Sequence, residues 1–203
     1  ARSHGLDGTG LDLDPAMTGL FTRNGELARL NGGSLSNPRV TVLNADAGQW
    51  LDEHADVFDL IVADFPDPSN FGLGKLYSVP IYRLMARHLS ENGALVVQST
   101  SPWFAPRSFW CIDATLREAG FHTHPYHAYV PSFGEWGFNL ATRRPGYTPP
   151  TAYSIPTRFL DGETTRLMFR FPPDMKPLPV EANHLNNQRL VHYFEQDWGN
   201  VVR

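Results

Sequence analysis

The stretch FDLIVADFPDP, Phe58 to Pro68, places two carboxylates, Asp64 and Asp67, three positions apart at the end of an apolar run. Phe58, Leu60, Ile61, Val62 and Ala63 read as a buried strand, and Pro66 and Pro68 stiffen the segment after it. Two acids held together at a strand end repel each other unless a proton or a cation lies between them. A cationic amine meets that need, and a carboxylate that holds an ammonium can also take its proton. Asp67 has a plain structural alternative, a turn closed by its own side chain. The pair as a whole is harder to explain as structure than as a site.

Other apolar runs end in the same way. GLDLDP (Gly10 to Pro15) ends on Asp12 and Asp14, RVTVLNADA (Arg39 to Ala47) on Asp46 and Ala47, and GALVVQSTSP (Gly93 to Pro102) on Gln98. An acid ending a strand of a nucleotide-binding α/β unit can accept both ribose hydroxyls, a role open to Asp12 or Asp14. Asp14 also precedes Pro15 as a helix cap would, so one acid is expected in each role. Asp46 either accepts from an adenine amino group or caps a helix starting at Ala47.

Helix-like stretches over Pro15–Leu30, Ala47–His54 and Ser78–Leu89 separate these strands. In the last of these, Ile81, Leu84, Met85, His88 and Leu89 fall at amphipathic spacing. Glu91–Gly93 reads as a turn before the next strand, and Arg107–Ala119 as a helix stopped by Gly120. This alternation predicts an α/β fold with a mostly parallel sheet, in which strands near 10–14, 40–44, 58–63 and 94–98 are neighbours. Their near-continuous Val, Ile and Leu predicts that both sheet faces are covered. Ligands of such sheets sit outside the carboxyl ends of the strands, which puts all these acids on one rim. FHTHPYHAYVPS and EWGFNLATRR predict a final antiparallel pair around a loop at Pro131–Gly134. Beyond Arg144 the chain turns proline-rich. We therefore expect a Rossmann-like domain over 1–144 and an extension packed on it over 145–203, with a helical piece at Asn187–Trp198.

Composition narrows the classes. With 203 residues, 41% hydrophobic and 19% charged, the chain can bury one good core. A net charge of -4 provides no basic footprint for nucleic acid. The single cysteine, Cys111, excludes an internal disulfide and fits a reducing compartment, so a soluble cytoplasmic domain is expected. No apolar run approaches the ~20 residues that span a bilayer. The opening ARSHGLDGTG runs into LDLDP with no preceding strand and helix, so the sequence is expected to start partway into a domain. Weaker features carry little. Asn31–Ser34 (NGGS) lacks the Gly-Lys-Ser/Thr of a phosphate loop, and Ser99, Thr100 and Ser101 lack a nucleophile elbow. His122 and His124 share a strand face but His127 does not, so no metal site is expected there. Trp103, Phe104, Phe109 and Trp110 read as core and rim packing.

Taken in order, LDLDP, PRVTVLNADA, FDLIVADFPDPSNFGLGKLY, GALVVQSTSPWF and YVPSFGEWGF resemble the spermidine synthases, the polyamine aminopropyltransferases. The likeness is strong from Leu11 to about Arg144 and is greatest to bacterial forms whose synthase domain follows a membrane-spanning region. It implies a class I methyltransferase-like fold with an antiparallel C-terminal strand pair. It also implies transfer of an aminopropyl group from decarboxylated S-adenosylmethionine, a co-substrate, to putrescine, with no prosthetic group and no metal. By position in the family, Asp12 holds the ribose, Asp46 and Ala47 contact adenine, and Asp64 is the catalytic proton acceptor. Asp67, Tyr77 and Gln98 line the amine site. The resemblance is compatible with a homodimer and with a membrane region elsewhere in the natural chain. The chain departs from the family in lacking the glycine-rich Gly-Gly-Gly-Asp-Gly type segment and the amino-terminal hairpin domain. It also carries Phe133 in a shorter loop, and Asn70 and Phe71 after the acidic pair.

The chemistry is consistent with the residues. An amine near pKa 10 must lose a proton before it attacks the carbon beside the sulfonium, whereas an ordinary aspartate titrates near 4. Burial and mutual repulsion of Asp64 and Asp67 are expected to narrow that gap. Two other readings remain at this level: an S-adenosylmethionine-dependent amine methyltransferase, and a non-catalytic nucleoside- or polyamine-binding module.

Overall fold

Each apolar run forms a strand in the computed structural model, which describes residues 6–23 and 25–201. Packing divides the chain into two compact units, Ala1–Ala55 and Asp56–Arg203.

In the first unit, β1 (Gly8–Asp12) pairs in parallel with β2 (Val40–Asn44), Asp12 lying opposite Asn44. Pro15, whose missing N–H costs nothing at a helix start, opens α1 (Pro15–Arg23). The single helix expected over Pro15–Leu30 is instead two, α1 and α2 (Gly25–Leu30), with residue 24 outside the described residues. Gly25 is a weak helix former at the junction, and the Asn31 side chain folds the end of α2 back to Phe21 O at 3.1 Å. After β2, α3 (Ala47–Glu53) completes the unit, and His54 is its cap rather than its last turn. Apolar burial here is thin. Leu51 is buried, whereas Leu13 and Leu30 are 73% and 80% exposed.

The second unit holds a four-stranded sheet in the order β3–β4–β6–β5, built from β3 (Phe58–Ala63), β4 (Leu89–Gln98), β5 (His122–Val130) and β6 (Gly134–Thr142). β3 and β4 are parallel, and the C-terminal hairpin β5–β6 adds to β4 antiparallel, as the sequence indicates. The expected turn at Glu91–Gly93 lies inside β4. Phe58 pairs with Leu89 but Leu60 with Ala94, so the intervening residues bulge out of the ladder. α4 (Phe71–Gly74) and a 3-10 turn (Lys75–Tyr77) lead into α5 (Val79–Arg87), and α6 (Pro106–Glu118) follows β4. Past the hairpin come α7 (Gly162–Met168), a 3-10 turn at Pro173–Met175, and α8 (Arg189–Val201).

The core of this unit lies between sheet and helices. Leu95, Val97, Phe109, Ile112, Leu116 and Leu190 are fully buried. α8 closes on α6 through a buried carboxylate: Asp197 accepts from Ser108 N at 3.0 Å and Ser108 Oγ at 2.9 Å, capping the first turn of α6. Burial raises the Asp197 pKa despite these donors.

Two expectations about the sheet need correction. The four parallel strands do not form one ladder: β1–β2 and β3–β4–β6–β5 are separate sheets among the described residues. Nor are both faces of every strand covered. Among the described residues β3 has β4 as its single partner, and Leu60 and Val62, two apart on one face, are 54% and 64% exposed. No helix among the described residues is long and apolar enough to cross a membrane.

Candidate functional site

In the first unit the two candidate nucleoside acids stand at the carboxyl ends of neighbouring parallel strands. Asp12 is the last residue of β1, and its Oδ1 accepts from Asp14 N at 2.7 Å. Asp14 in turn accepts from Ala16 N at 2.8 Å, so it is the cap of α1 and Asp12 is not. Asn44 Nδ2 donates to Asp12 O at 3.2 Å, fixing that strand end. Asp46 caps α3 by accepting from Gln49 N at 2.9 Å, with Ala47 as the first helical residue. The cap takes one carboxylate oxygen of an exposed side chain, which is compatible with a second use.

In the second unit the register pairs Ala63 with Val97; Asp64 is the first residue past β3, and Gln98, the last of β4, is still paired with Phe138 of β6. Gln98 Nε2 donates to Asp67 Oδ1 at 3.1 Å, which brings Asp67 back to the strand ends through the Pro66–Pro68 turn. Gln98 Oε1 accepts from Tyr77 OH at 3.2 Å, an amide orientation that suits an ionised Asp67. The same hydroxyl lies 3.0 Å from both Phe65 O and Pro66 O. Tyr77 is fully buried, with its ring edge-on to Phe65 at 5.7 Å. Its one hydroxyl proton is shared among Gln98 Oε1 and the two backbone carbonyls that lie between the acids.

The electrostatics separate the acids. Burial raises the Asp67 pKa, and the bond from Gln98 partly offsets the rise. The expected push from Asp64 is not its cause. Asp64 is exposed. Burial, then the charges of Asp67 and Asp64, push the Tyr77 phenol up, so it stays a donor across the physiological range.

The segment after Gln98 is also held firmly. Thr100 is buried with φ of 56°, a left-handed conformation that costs a threonine on the order of 1–3 kcal/mol. Gly137 N donates to Thr100 O at 2.7 Å, Ser99 N to Gly137 O at 2.9 Å, and Asn139 Nδ2 to Ser99 Oγ at 3.0 Å. Nothing local in QSTS signals this, because each partner comes from β6. Of the other candidates, His127 is occupied by Glu135 at 2.5 Å and Arg170 O at 3.0 Å. No group of three His, Cys, Asp or Glu among the described residues could hold a metal ion. Phe109 and Trp110 are core, but Trp103 is 51% exposed.

Known proteins share both the sequence and the fold. The spermine/spermidine synthase domain profile matches residues 11–147. Polyamine aminopropyltransferase 2 of Ralstonia nicotianae is 62% identical over 95% of this chain and 38% of its own length. Polyamine aminopropyltransferase of Leptospira interrogans is 46% identical over 95% of this chain and 38% of its own. The chain thus spans under two-fifths of these relatives. Spermidine synthase from Thermotoga maritima superposes with a TM-score of 0.69 at 14% identity, covering 96% of this chain and 60% of that one. A spermidine synthase in complex with the transition-state analogue AdoDATO does so at 0.70 and 15%, covering 96% and 61%. The fold is therefore the methyltransferase-like α/β architecture of these enzymes, and the chain belongs to the spermine/spermidine synthase domain family.

Proposed function

We propose that this chain is the core of a polyamine aminopropyltransferase, moving an aminopropyl group from decarboxylated S-adenosylmethionine to putrescine or a related diamine. One observation carries the amine side of the reading. Asp67, half-buried and held by Gln98, and Asp64, the first residue past β3, both act on the Tyr77 phenol, and among the described residues no cationic side chain is bonded to either. An incoming ammonium supplies the charge these acids lack. In the reaction the neutral amine nitrogen forms a bond to the methylene next to the sulfonium, and the carbon–sulfur bond breaks. Methylthioadenosine leaves with that electron pair, and the proton shed by the amine goes to Asp64. Asp67 holds the ammonium, and the Tyr77–Gln98 pair keeps Asp67 in place, gaining rate through alignment. The sulfonium is its own leaving group, so these steps ask of the protein only position and a base. Asp12 serves the ribose of the donor, and Asp46 with Ala47 its adenine.

A cytoplasmic place for the domain belongs to the same reading. Homodimerisation and a membrane region in the natural chain belong to the same proposal, by analogy with the family. So does the role of residues 145–203 as an extension of the synthase domain.

Incubation with donor and putrescine, followed by mass spectrometry, tests the reaction. Methylthioadenosine and spermidine are expected; S-adenosylhomocysteine formed from S-adenosylmethionine would instead indicate a methyltransferase, and neither product a binding module. Asp12→Ala should weaken methylthioadenosine binding by about 1–3 kcal/mol in calorimetry, through lost bonds to a charged acceptor. Unchanged binding would remove Asp12 from the site. The putrescine KM should rise as pH falls through the Asp67 titration. Because burial raises that pKa, the charge is lost on acidification at a higher pH than for an ordinary aspartate. A KM that stays flat until the ordinary aspartate range would place the amine elsewhere.

A further inference from the structure

We propose that Asn183, in the C-terminal extension, is a positioning residue for the amine site, acting through Tyr77. The inference rests on reading Asp67 as the acid that holds the amine. Asn183 is fully buried, and every polar group it owns is engaged. Its side-chain Nδ2 donates to Gly74 O at 2.9 Å and to Tyr77 O at 3.2 Å. Its Oδ1 accepts from Leu190 N at 3.2 Å, its backbone N donates to Thr115 Oγ1 at 2.9 Å, and its carbonyl accepts from Val79 N at 3.1 Å. One residue thus ties the turn that carries Tyr77 to α5, α6 and α8. A satisfied buried amide of this kind specifies a single arrangement, because any shift strands a donor or acceptor away from water.

A second contact sets the same turn. A Cβ on Gly74 would lie 2.5 Å from Val191 Cγ2, so the backbone at Gly74 touches α8 directly. Asn183 therefore bonds both ends of the Gly74–Tyr77 turn, and Val191 packs against its first residue. From there the chain of contacts is continuous. The Tyr77 carbonyl is held by Asn183, its hydroxyl has one proton to donate within reach of Phe65 O, Pro66 O and Gln98 Oε1, and Gln98 holds Asp67. The phenol sits at the end of a long lever. A tilt of roughly 10° at the tyrosine Cα swings the hydroxyl by about 1 Å, enough to break hydrogen bonds of ordinary length. Asn183 is uncharged, and the ionisable groups at and around the grip are Lys75 on the turn itself, Asp64, Asp67 and the phenols of Tyr77 and Tyr82. An effect of Asn183 on Asp67 must then travel through geometry.

The test uses the full chain as its gene encodes it, carrying Asn183→Ala, Tyr77→Phe or both. Rates are measured at saturating decarboxylated S-adenosylmethionine with putrescine varied, and the Asp67 carboxyl is titrated by carbon-13 NMR. Each single variant should raise the putrescine KM by about 3–10-fold with kcat within about twofold, and the double variant should add little to Tyr77→Phe alone. The Asp67 titration should move to higher pH in all three, because a loosened Gln98 no longer favours the charged form. A lower Tm with unchanged KM and unchanged Asp67 titration would reduce Asn183 to a structural tie. Multiplied effects in the double variant would show that it does not act through Tyr77. If Asn183→Ala does not fold, Thr115→Val removes the acceptor for Asn183 N, along with the Thr115 Oγ1 bond to Cys111 O inside α6. It should produce the same shifts at smaller size, and their absence overturns the proposal. A wild-type protein that transfers no aminopropyl group refutes the reaction, while the Asp67 titration still judges the positioning.

Discussion

Asp64→Asn should slow the chemical step, read as single-turnover formation of methylthioadenosine at saturating donor, by roughly 10²–10⁴-fold. The substitution keeps size and shape at a position fixed by the last pair of the β3–β4 ladder, Ala63 with Val97, and removes only the proton acceptor. The neighbouring backbone is unaffected, since Tyr77 OH holds Phe65 O and Pro66 O rather than the carboxylate. Asp67→Asn should behave differently. Its amide oxygen can still accept from Gln98 Nε2, so the turn survives, but the charge that attracts the ammonium is gone. The expected result is a raised putrescine KM with a smaller change in the single-turnover rate. Turnover of Asp64→Asn at the wild-type rate would mean that Asp64 is not the base and that the two carboxylates serve only to trap cations.

Phe109→Ala should lower unfolding stability by about 3–5 kcal/mol, read as a fall in the urea midpoint at constant slope. Phe109 lies on α6 with no exposed surface, edge-on to Trp110 at 5.0 Å and tilted against Phe171 at 5.6 Å. Its ring also rests on the backbone of β6: a Cβ on Gly137 would come within 2.4 Å of it. Deleting the ring opens a void between helix and sheet that glycine cannot fill. The same Gly137 donates to Thr100 O, so the loss should reach the segment after Gln98 and lower activity in the fraction that remains folded. A loss under about 1 kcal/mol would show that this contact is not part of the core.

The sequence by itself determined most of the elements and several of their ends. Period-2 and period-3.6 patterning, with Pro15, Asp14, Asp46 and Gly120 as start and stop signals, depends on neighbours a few residues away, and those parts are where the structure has them. The acids at the strand ends were legible for the same reason, since where an apolar run stops is a local fact. The tertiary structure decided which acid is buried, that Glu91–Gly93 bulges inside a strand, and that the parallel strands form two ladders instead of one. It also turned Tyr77 from a residue lining a pocket into the grip on Phe65, Pro66 and Gln98, and brought Asn183 and Asp197 from the tail onto the Tyr77 turn and the start of α6. These bonds join groups from 11 to more than 100 positions apart in the chain. Local propensity has no preference among such partners, and only the packed core, by excluding water from each polar group, selects one.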